Sequence, residues 1–439
     1  MLTPPSAPDH IDLAHLGQPV YRGSVQYLYE APGHPGFLVC QTTEAGSVFD
    51  VGSIFEIPGS DRGRAIFRHA MYHRLGQTET WADVRSRIQA DSTLPDAWKA
   101  ELLQGPLETF LERGASTHHI GMIDAETGRV IQQGLPEHPS AFNLVRRFPV
   151  MTPPQRPLMG GFVFDYAQFH QSDTYVIPLE YIVRFGVTSG SSILKKYDAL
   201  SEAARRSYEQ ELGLCGPMVP WSMLQPPIFD LTSKYEPEDR NVSRQEALLM
   251  SGLSGQAFAD TVKMALLGAW AVRAALAPIG LDLWDLKWEF ALDRDTLLFV
   301  DTIDSDSFRA TRTLDTPSGR LIIHFNKQAM RDYYRILHPE WYAGVNIAKA
   351  EAKRSGGPFK QILTAGQRDG IYPPTPQVEP EFLAIQGRKT DLIRQHISGT
   401  AQGENASDIA RALEACGRDE IGFYQHHDRL DALVKVNGI

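Results

Sequence analysis

Residues 281–309, LDLWDLKWEFALDRDTLLFVDTIDSDSFR, constrain the fold more than any other stretch of this chain. The segment DLKWEFA alternates strictly. Asp285, Lys287 and Glu289 fall on one face of a strand, and Leu286, Trp288 and Phe290 on the other. Asp293-Arg294-Asp295 is a turn signal, and TLLFVD reads as the returning strand, ending on Asp301. Cross-strand neighbours share a face. A loop of three or five residues therefore places Asp301 beside Lys287 and Glu289, and a four-residue loop does not. Two carboxylates and an ammonium on one face are costly to desolvate unless something binds between them. Oxygen-rich clusters of this kind suit Mg²⁺ carrying substrate phosphates. An amphipathic hairpin with a solvated polar face satisfies the same pattern.

A chain of 439 residues can bury a substantial core, as two or three subdomains or as one large α+β domain with insertions. The net charge of −10 leaves no basic excess for a nucleic acid polymer or an anionic membrane, while a local basic pocket for one nucleotide stays open. Cys40, Cys215 and Cys416 are widely spaced with no CxxC pair, which argues against a disulfide framework or a zinc site. The N-terminus has neither a basic region nor an apolar run, and no stretch reads as a transmembrane segment. A reduced cytoplasm is the expected compartment.

In chain order, residues 1–17 read as a disordered or loosely docked leader, and 18–178 as an N-terminal α+β subdomain. Residues 24–29 and 36–42 form two strands around a Pro/Gly turn. Gly23 opens that hairpin, where backbone N–H groups can approach a phosphate or simply serve the turn. A helix is expected over 64–75. Residues 77–157 read as an insertion or lid-like elaboration, with helical patterns at 81–89 and 95–112 and a short hairpin in HHIGMIDAETGRVIQQG. The adjacent His118 and His119 point to different sides and make a poor metal pair. GGFVFDYAQF and TYVIPLEYIVRFGV are apolar and β-branched, hence central strands.

Residues 179–326 read as a central nucleotide and substrate subdomain. Glu180 and Arg184 share a strand face, as a structural ion pair or as an anion-binding arginine and its neighbour. Thr188-Ser189-Gly190-Ser191-Ser192 ahead of Lys195-Lys196 is an anion-binding loop or a flexible turn. A helix over 198–215 and a strand at IFDL precede the charged loop KYEPEDRN, where Lys234, Asp239 and Asn241 face a ligand or solvent. Residues 243–246 form a capping box, and a helix over 254–277 is apolar nearly all round, hence buried. Residues 327–439 read as a helical region, with Met330, Tyr333, Tyr334 and Leu337 as a packing stripe. There is no internal repeat, GxSxG elbow, P-loop consensus or dinucleotide fingerprint.

Five runs, in this order, resemble the SAICAR synthetase (phosphoribosylaminoimidazole-succinocarboxamide synthase) family. They are YRGSVQYLYE, SVFDV with IPGSDRG, IPLEYIVR with TSGSS, PIFDLTSKYEPEDRNVS, and DLKWEFALDRDTLLFVDTIDSDSFR. The resemblance covers roughly residues 18–76 and 160–340. It implies an α+β fold related to ATP-grasp, in two parts with antiparallel sheets and packed helices, a long insertion and a C-terminal helical extension. It also implies a reaction: ATP and Mg²⁺ activate a ribotide carboxylate as an acyl phosphate, which the amino group of aspartate displaces. By position, Glu289 and Asp301 would hold the metal. Lys287, Asp239 and Asp306 would be catalytic, with Lys287 facing substrate or phosphate. Arg184, Ser191 and Arg309 would anchor the ribotide phosphate. Gly23, Ser24, Gln26 and Lys234 would lie at the nucleotide. The partners implied are a small ribonucleotide and aspartate, with room for a homo-oligomer.

Two departures stand out. The family carries lysine or arginine after the first-loop glycine, where this chain has Ser24 and Gln26, and its usual Asp-Glu is here Asp301-Thr302. Each charge-assisted contact contributes on the order of 1.5–3 kcal/mol, so two or three losses weaken ATP binding roughly a hundredfold or more. The sequence therefore reads as a diverged member acting in purine-like nucleoside (coformycin- or pentostatin-type antibiotic) biosynthesis. The alternative is a genuine ATP-dependent SAICAR synthetase of purine biosynthesis.

Overall fold

The alternating run becomes the long strand Asp282–Asp293, and the larger sheet is assembled on it. In the computed structural model, residues 6–214, 216–237, 239–317, 319–400 and 405–439 are described. Cys215 and the first five residues of the expected leader lie outside them. The order of this antiparallel sheet is Asn241–Val242, Ser222–Ser233, Leu179–Val187, Asp282–Asp293, Phe308–Thr316 and Gly319–His324. Thr174–Val176 and Thr296–Val300 pair with the far end of Asp282–Asp293. Its apolar face lies on the helix Gly255–Leu276, the expected buried helix. Gly268 permits the close approach, since an added Cβ would stand 2.8 Å from Phe299 and 3.1 Å from Trp288. A window within Gly255–Ile279 is long and apolar enough to cross a membrane, contrary to the sequence reading, yet 67% of it is buried inside the fold. It is a core helix by packing.

A second antiparallel sheet runs Tyr21–Arg22, Gln26–Ala31, His34–Thr42, Pro139–Arg146, His119–Asp124 and Val130–Ile131. The helix Ser60–Leu75 crosses it, with Asn143 Nδ2 donating to the carbonyl of Ala65 at 3.2 Å. The stretch 77–157 is therefore no lid laid over the fold. It supplies interior strands of this sheet, and its helices Thr78–Ala90, Asp96–Leu102 and Pro106–Arg113 bury Trp81, Val84, Leu102 and Phe110 in the main core. The leader also docks, because Ile11 is buried against Phe37, Val39 and Ile123.

Two further expectations change. GGFVFDY is not a central strand. Gly161–Phe164 pairs only with Gln155–Leu158, and Phe162 and Val163 stay exposed, because no second layer covers this ribbon. The helix expected over 198–215 is two helices, Ser192–Asp198 and Glu202–Leu212, the second capped by Ser201. After the larger sheet come Gln328–Leu337, Pro339–Ser355, Phe359–Arg368, Pro380–Ser398, Ala406–His426 and Leu430–Asn437, an all-helical run as read from the sequence. Met330, Tyr333 and Tyr334 pack in the core as expected. Lys389 joins these helices to the sheet by donating to the carbonyl of His324 at 2.8 Å and pairing with buried Glu420.

Candidate active site

The polar face of the larger sheet carries the site. Register places Ile182 opposite Lys287 and Arg184 opposite Asp285, and Arg309 lies on the other side of Asp285. Even spacing along Leu179–Val187 then brings Glu180 onto the same face as Glu289. The opposite face is Trp288, Phe290 and their neighbours, fixed in the core. Burial of one face thus commits the charged residues to the other.

At one end of that face two lysines bridge three carboxylates. Lys287 Nζ donates to Glu289 Oε1 at 2.6 Å, to Glu180 Oε1 at 3.0 Å and to Asp301 Oδ2 at 3.3 Å. Lys234 Nζ donates to Glu289 Oε1 at 2.8 Å and Glu180 Oε1 at 2.9 Å. Glu180 also accepts from Thr232 Oγ1 at 2.9 Å. Burial works against the charge of every member. The ammonium groups of Lys287 and Lys234 nevertheless lower Glu180 to about 2 and hold Asp301 well below the usual carboxylate range. Burial and the neighbouring Asp301 charge raise Glu289 instead. Both lysines are raised, against burial, by the carboxylates they bridge.

Asp301 reaches this cluster by an unexpected route. The hairpin turn has only two residues, Arg294 and Asp295, with Asp293 paired to Thr296. In that register Asp301 would stand opposite Trp288 and point into the core. The strand stops at Val300 instead, and Asp301 takes φ +65°. This left-handed turn swings its carboxylate round to Lys287. Such a conformation costs a non-glycine residue about 1 kcal/mol or more.

Further along the face, Arg184 and Arg309 converge. Arg184 Nε donates to Asp230 Oδ2 at 2.7 Å, and its Nη1 lies 3.3 Å from Asp285 Oδ2 and 3.5 Å from Ser191 Oγ. Arg309 Nη1 donates to Asp285 Oδ2 at 2.9 Å and Thr188 Oγ1 at 3.2 Å. Glu180 and Arg184 therefore serve two separate clusters instead of pairing with each other. Neighbouring hydroxyls and forked donors suit a phosphate held at this loop.

Other named residues lie around these clusters. Asp239 is exposed on its loop, its carboxyl raised by the protein surrounding it and by Glu180. Asp306 pairs with Arg64 at 2.9 Å and lines a cleft with Glu44, Ser47, Phe55, Asn326 and Lys327. Gly23 N–H is used inside the hairpin, donating to the carbonyl of Gln26 at 2.8 Å. Ser24 is exposed, and Gln26 Oε1 accepts from Cys40 Sγ at 3.3 Å. Sequence reasoning missed Arg64, Arg68, Tyr72, Asp230 and the linking role of Asp285. Only the four-residue spacing of the first three hinted at a shared stripe.

The Glu289 and Asp301 carboxylates crowd each other while Glu289 is pushed toward its protonated form. A cation there would offset that crowding. One or two carboxylates plus phosphate oxygens is the usual protein contribution to Mg²⁺, so the pair fits that ion. No group of three or more His, Cys, Asp or Glu placed to hold a metal occurs among the described residues.

The profile of the family described as SAICAR synthetase matches residues 133–346. Over that span the chain is similar to the SAICAR synthetase family. The matched span contains both clusters of the polar face, and Gly23, Ser24, Gln26, Arg64 and Arg68 lie outside it. A phosphoribosylaminoimidazole-succinocarboxamide synthase of Thermoplasma volcanium is 29% identical over 228 residues, covering 51% of this chain and 64% of that protein. Its counterpart in Thermoplasma acidophilum is 30% identical with the same coverage. The chain thus spans about 64% of the length of these curated relatives. Among solved structures, a SAICAR synthase of Saccharomyces cerevisiae complexed with SAICAR gives a TM-score of 0.48 at 17% identity, covering 89% of this chain and 97% of that one.

Proposed function

We propose that this SAICAR synthetase-like chain is an enzyme acting on an aminoimidazole or purine-type ribonucleotide, diverged in its ATP-phosphate loop and serving purine-like nucleoside (antibiotic) biosynthesis in the cytoplasm. One observation carries the reading. A single sheet face bears a lysine-bridged carboxylate cluster at one end, and at the other two arginines joined through Asp285 beside Thr188 and Ser191. That is the charge pattern of a ribotide whose 5′-phosphate lies at the arginines and whose reacting end lies at the lysines.

In this reading Arg184, Arg309 and Ser191 grip the 5′-phosphate, with their donors pre-oriented by Asp230 and Asp285. Lys287 steadies the negative charge that builds where a carboxylate is phosphorylated. Lys234 offsets nucleotide charge, and Asp239 and Asp306 border the base. Mg²⁺ held by Glu289 and Asp301 would neutralise part of a triphosphate. Ser24 and Gln26 bring no cation to the first loop, which favours the diverged pathway. The intact lysine–carboxylate cluster favours a second reading, ATP-dependent ligation of aspartate to carboxyaminoimidazole ribotide.

Titration calorimetry with an aminoimidazole ribotide and with Mg·ATP separates these readings. Ribotide binding without tight Mg·ATP binding supports the first, and tight binding of both supports the second. Failure to bind the ribotide rejects both.

A further inference from the structure

The helix Ser60–Leu75 carries Arg64, Arg68 and Tyr72 at four-residue intervals, so the three form one stripe along its surface. Every member of the stripe reaches the same loop. Tyr72 Oη donates to the carbonyl of Asp301 at 2.8 Å, Arg68 Nη2 to Asp304 Oδ2 at 2.9 Å, and Arg64 Nη1 to Asp306 Oδ2 at 2.9 Å. As the helix runs back from 72 to 64, the loop runs forward from 301 to 306. The middle rung is sealed from water, with the Arg68 and Asp304 side chains 2% and 3% exposed.

The same arginines reach the smaller sheet and the segment that leaves it. Arg64 Nη2 donates to the carbonyls of Thr43 and Ala45, and Arg68 Nη1 to Cys40 Sγ at 3.1 Å. Cys40 in turn donates to Gln26, on the strand that follows Ser24. The loop gripped in this way connects Asp301 of one cluster to Arg309 of the other. Asp301 itself sits in a left-handed conformation that strand geometry alone would not give it, and Tyr72 holds its carbonyl.

We infer that the Arg64–Arg68–Tyr72 stripe is a positioning ladder that fixes the loop 301–306, so that Asp301 presents its carboxylate beside Glu289 to a divalent cation. The inference rests on the proposed reading of Glu289 and Asp301 as the cation site. In this role Tyr72 acts through the Asp301 backbone, and Arg68 and Arg64 through Asp304 and Asp306 of the same loop. Without them Asp301 is free to relax toward the strand register that faces Trp288. The N-terminal half thereby supplies buried positive charge and geometry to the site, although its first loop offers no lysine.

The test compares full-length wild type with Y72F and R68K, measuring Mn²⁺ binding by electron paramagnetic resonance and ribose 5-phosphate binding by calorimetry. Loss of one hydrogen bond is expected to weaken Mn²⁺ binding about 3–10-fold in Y72F, with ribose 5-phosphate affinity changed less than about twofold. R68K, which keeps the charge and loses the fork, is expected to weaken Mn²⁺ binding by at least as much. Amide exchange across 301–307 should speed up in both variants. Mn²⁺ binding equal to wild type in both variants, or equal losses for Mn²⁺ and ribose 5-phosphate, would overturn the ladder. Wild-type protein that binds ribose 5-phosphate but no Mn²⁺ rejects the cation-site reading and the ladder together, and the wild-type arm tells that failure from failure of the ladder alone.

Discussion

Arg184 and Arg309 donate to the same atom, Asp285 Oδ2, at 3.3 and 2.9 Å. Two guanidinium groups from separate strands are thus locked at a fixed spacing beside Thr188 and Ser191. R309Q removes one charged donor at the partly open side of this group. Ribose 5-phosphate binding is expected to weaken roughly 10–100-fold, and binding of the matching dephosphorylated nucleoside to stay nearly constant. Calorimetry on both ligands checks this, and equal losses for both would remove the phosphate assignment.

Lys287 is the only group that touches Glu180, Glu289 and Asp301 together among the described residues. K287M leaves Lys234 to bridge Glu180 and Glu289 and takes the ammonium partner from Asp301. A fully buried pair broken this way costs about 3–5 kcal/mol, and because the Lys287 side chain is 26% exposed the expected loss is nearer 2 kcal/mol. Added Mg²⁺ should restore more of the melting temperature in K287M than it adds to wild type. Identical Mg²⁺ responses in the two melts would count against a cation site at these carboxylates.

Acid should weaken the fold through His118. Burial lowers His118 to about 4, opposed by its hydrogen bond to the carbonyl of Phe299 and by Asp301. In the unfolded chain the same ring titrates near 6.5. The unfolded state therefore binds the extra proton first as pH falls. Stability is complete above about 6.5 and drains away down to about 4, by roughly 3 kcal/mol for this one residue. H118Q, which keeps a donor, should flatten urea-denaturation stability between pH 7 and 4.5. An unchanged slope would mean that His118 does not carry the effect.

Ser24 stands exposed in the first hairpin, where the proposed reading puts the nucleotide. If the nucleotide phosphates pass this hairpin, S24K should tighten Mg·ATP binding about tenfold, the yield of one charge-assisted contact. Ribotide affinity should not move. No change in Mg·ATP affinity would place the phosphates elsewhere.

The period-two pattern of DLKWEFA was enough to send Lys287 and Glu289 to one face and Trp288 and Phe290 to the other, because only one face of the strand packs against the apolar core. Capping residues and apolar periodicity likewise marked the helices starting after Ser243 and Ser254. The same logic failed for Gly161–Phe164. Composition says that a strand is apolar but not whether another layer exists to cover it.

Local pattern, then, decided which side chains face the polar side of the sheet, and a family resemblance in the chain supplied the roles proposed for them. Tertiary structure alone decided how Asp301 joins them. A two-residue turn gives it the wrong strand parity, and a left-handed backbone held by Tyr72 corrects it. It also decided that Arg64 and Arg68 meet Asp306 and Asp304. Strand and helix periods are local and can be read from neighbours in the sequence. A contact between a helix near the N-terminus and a loop hundreds of residues later exists only once two sheets have packed around it.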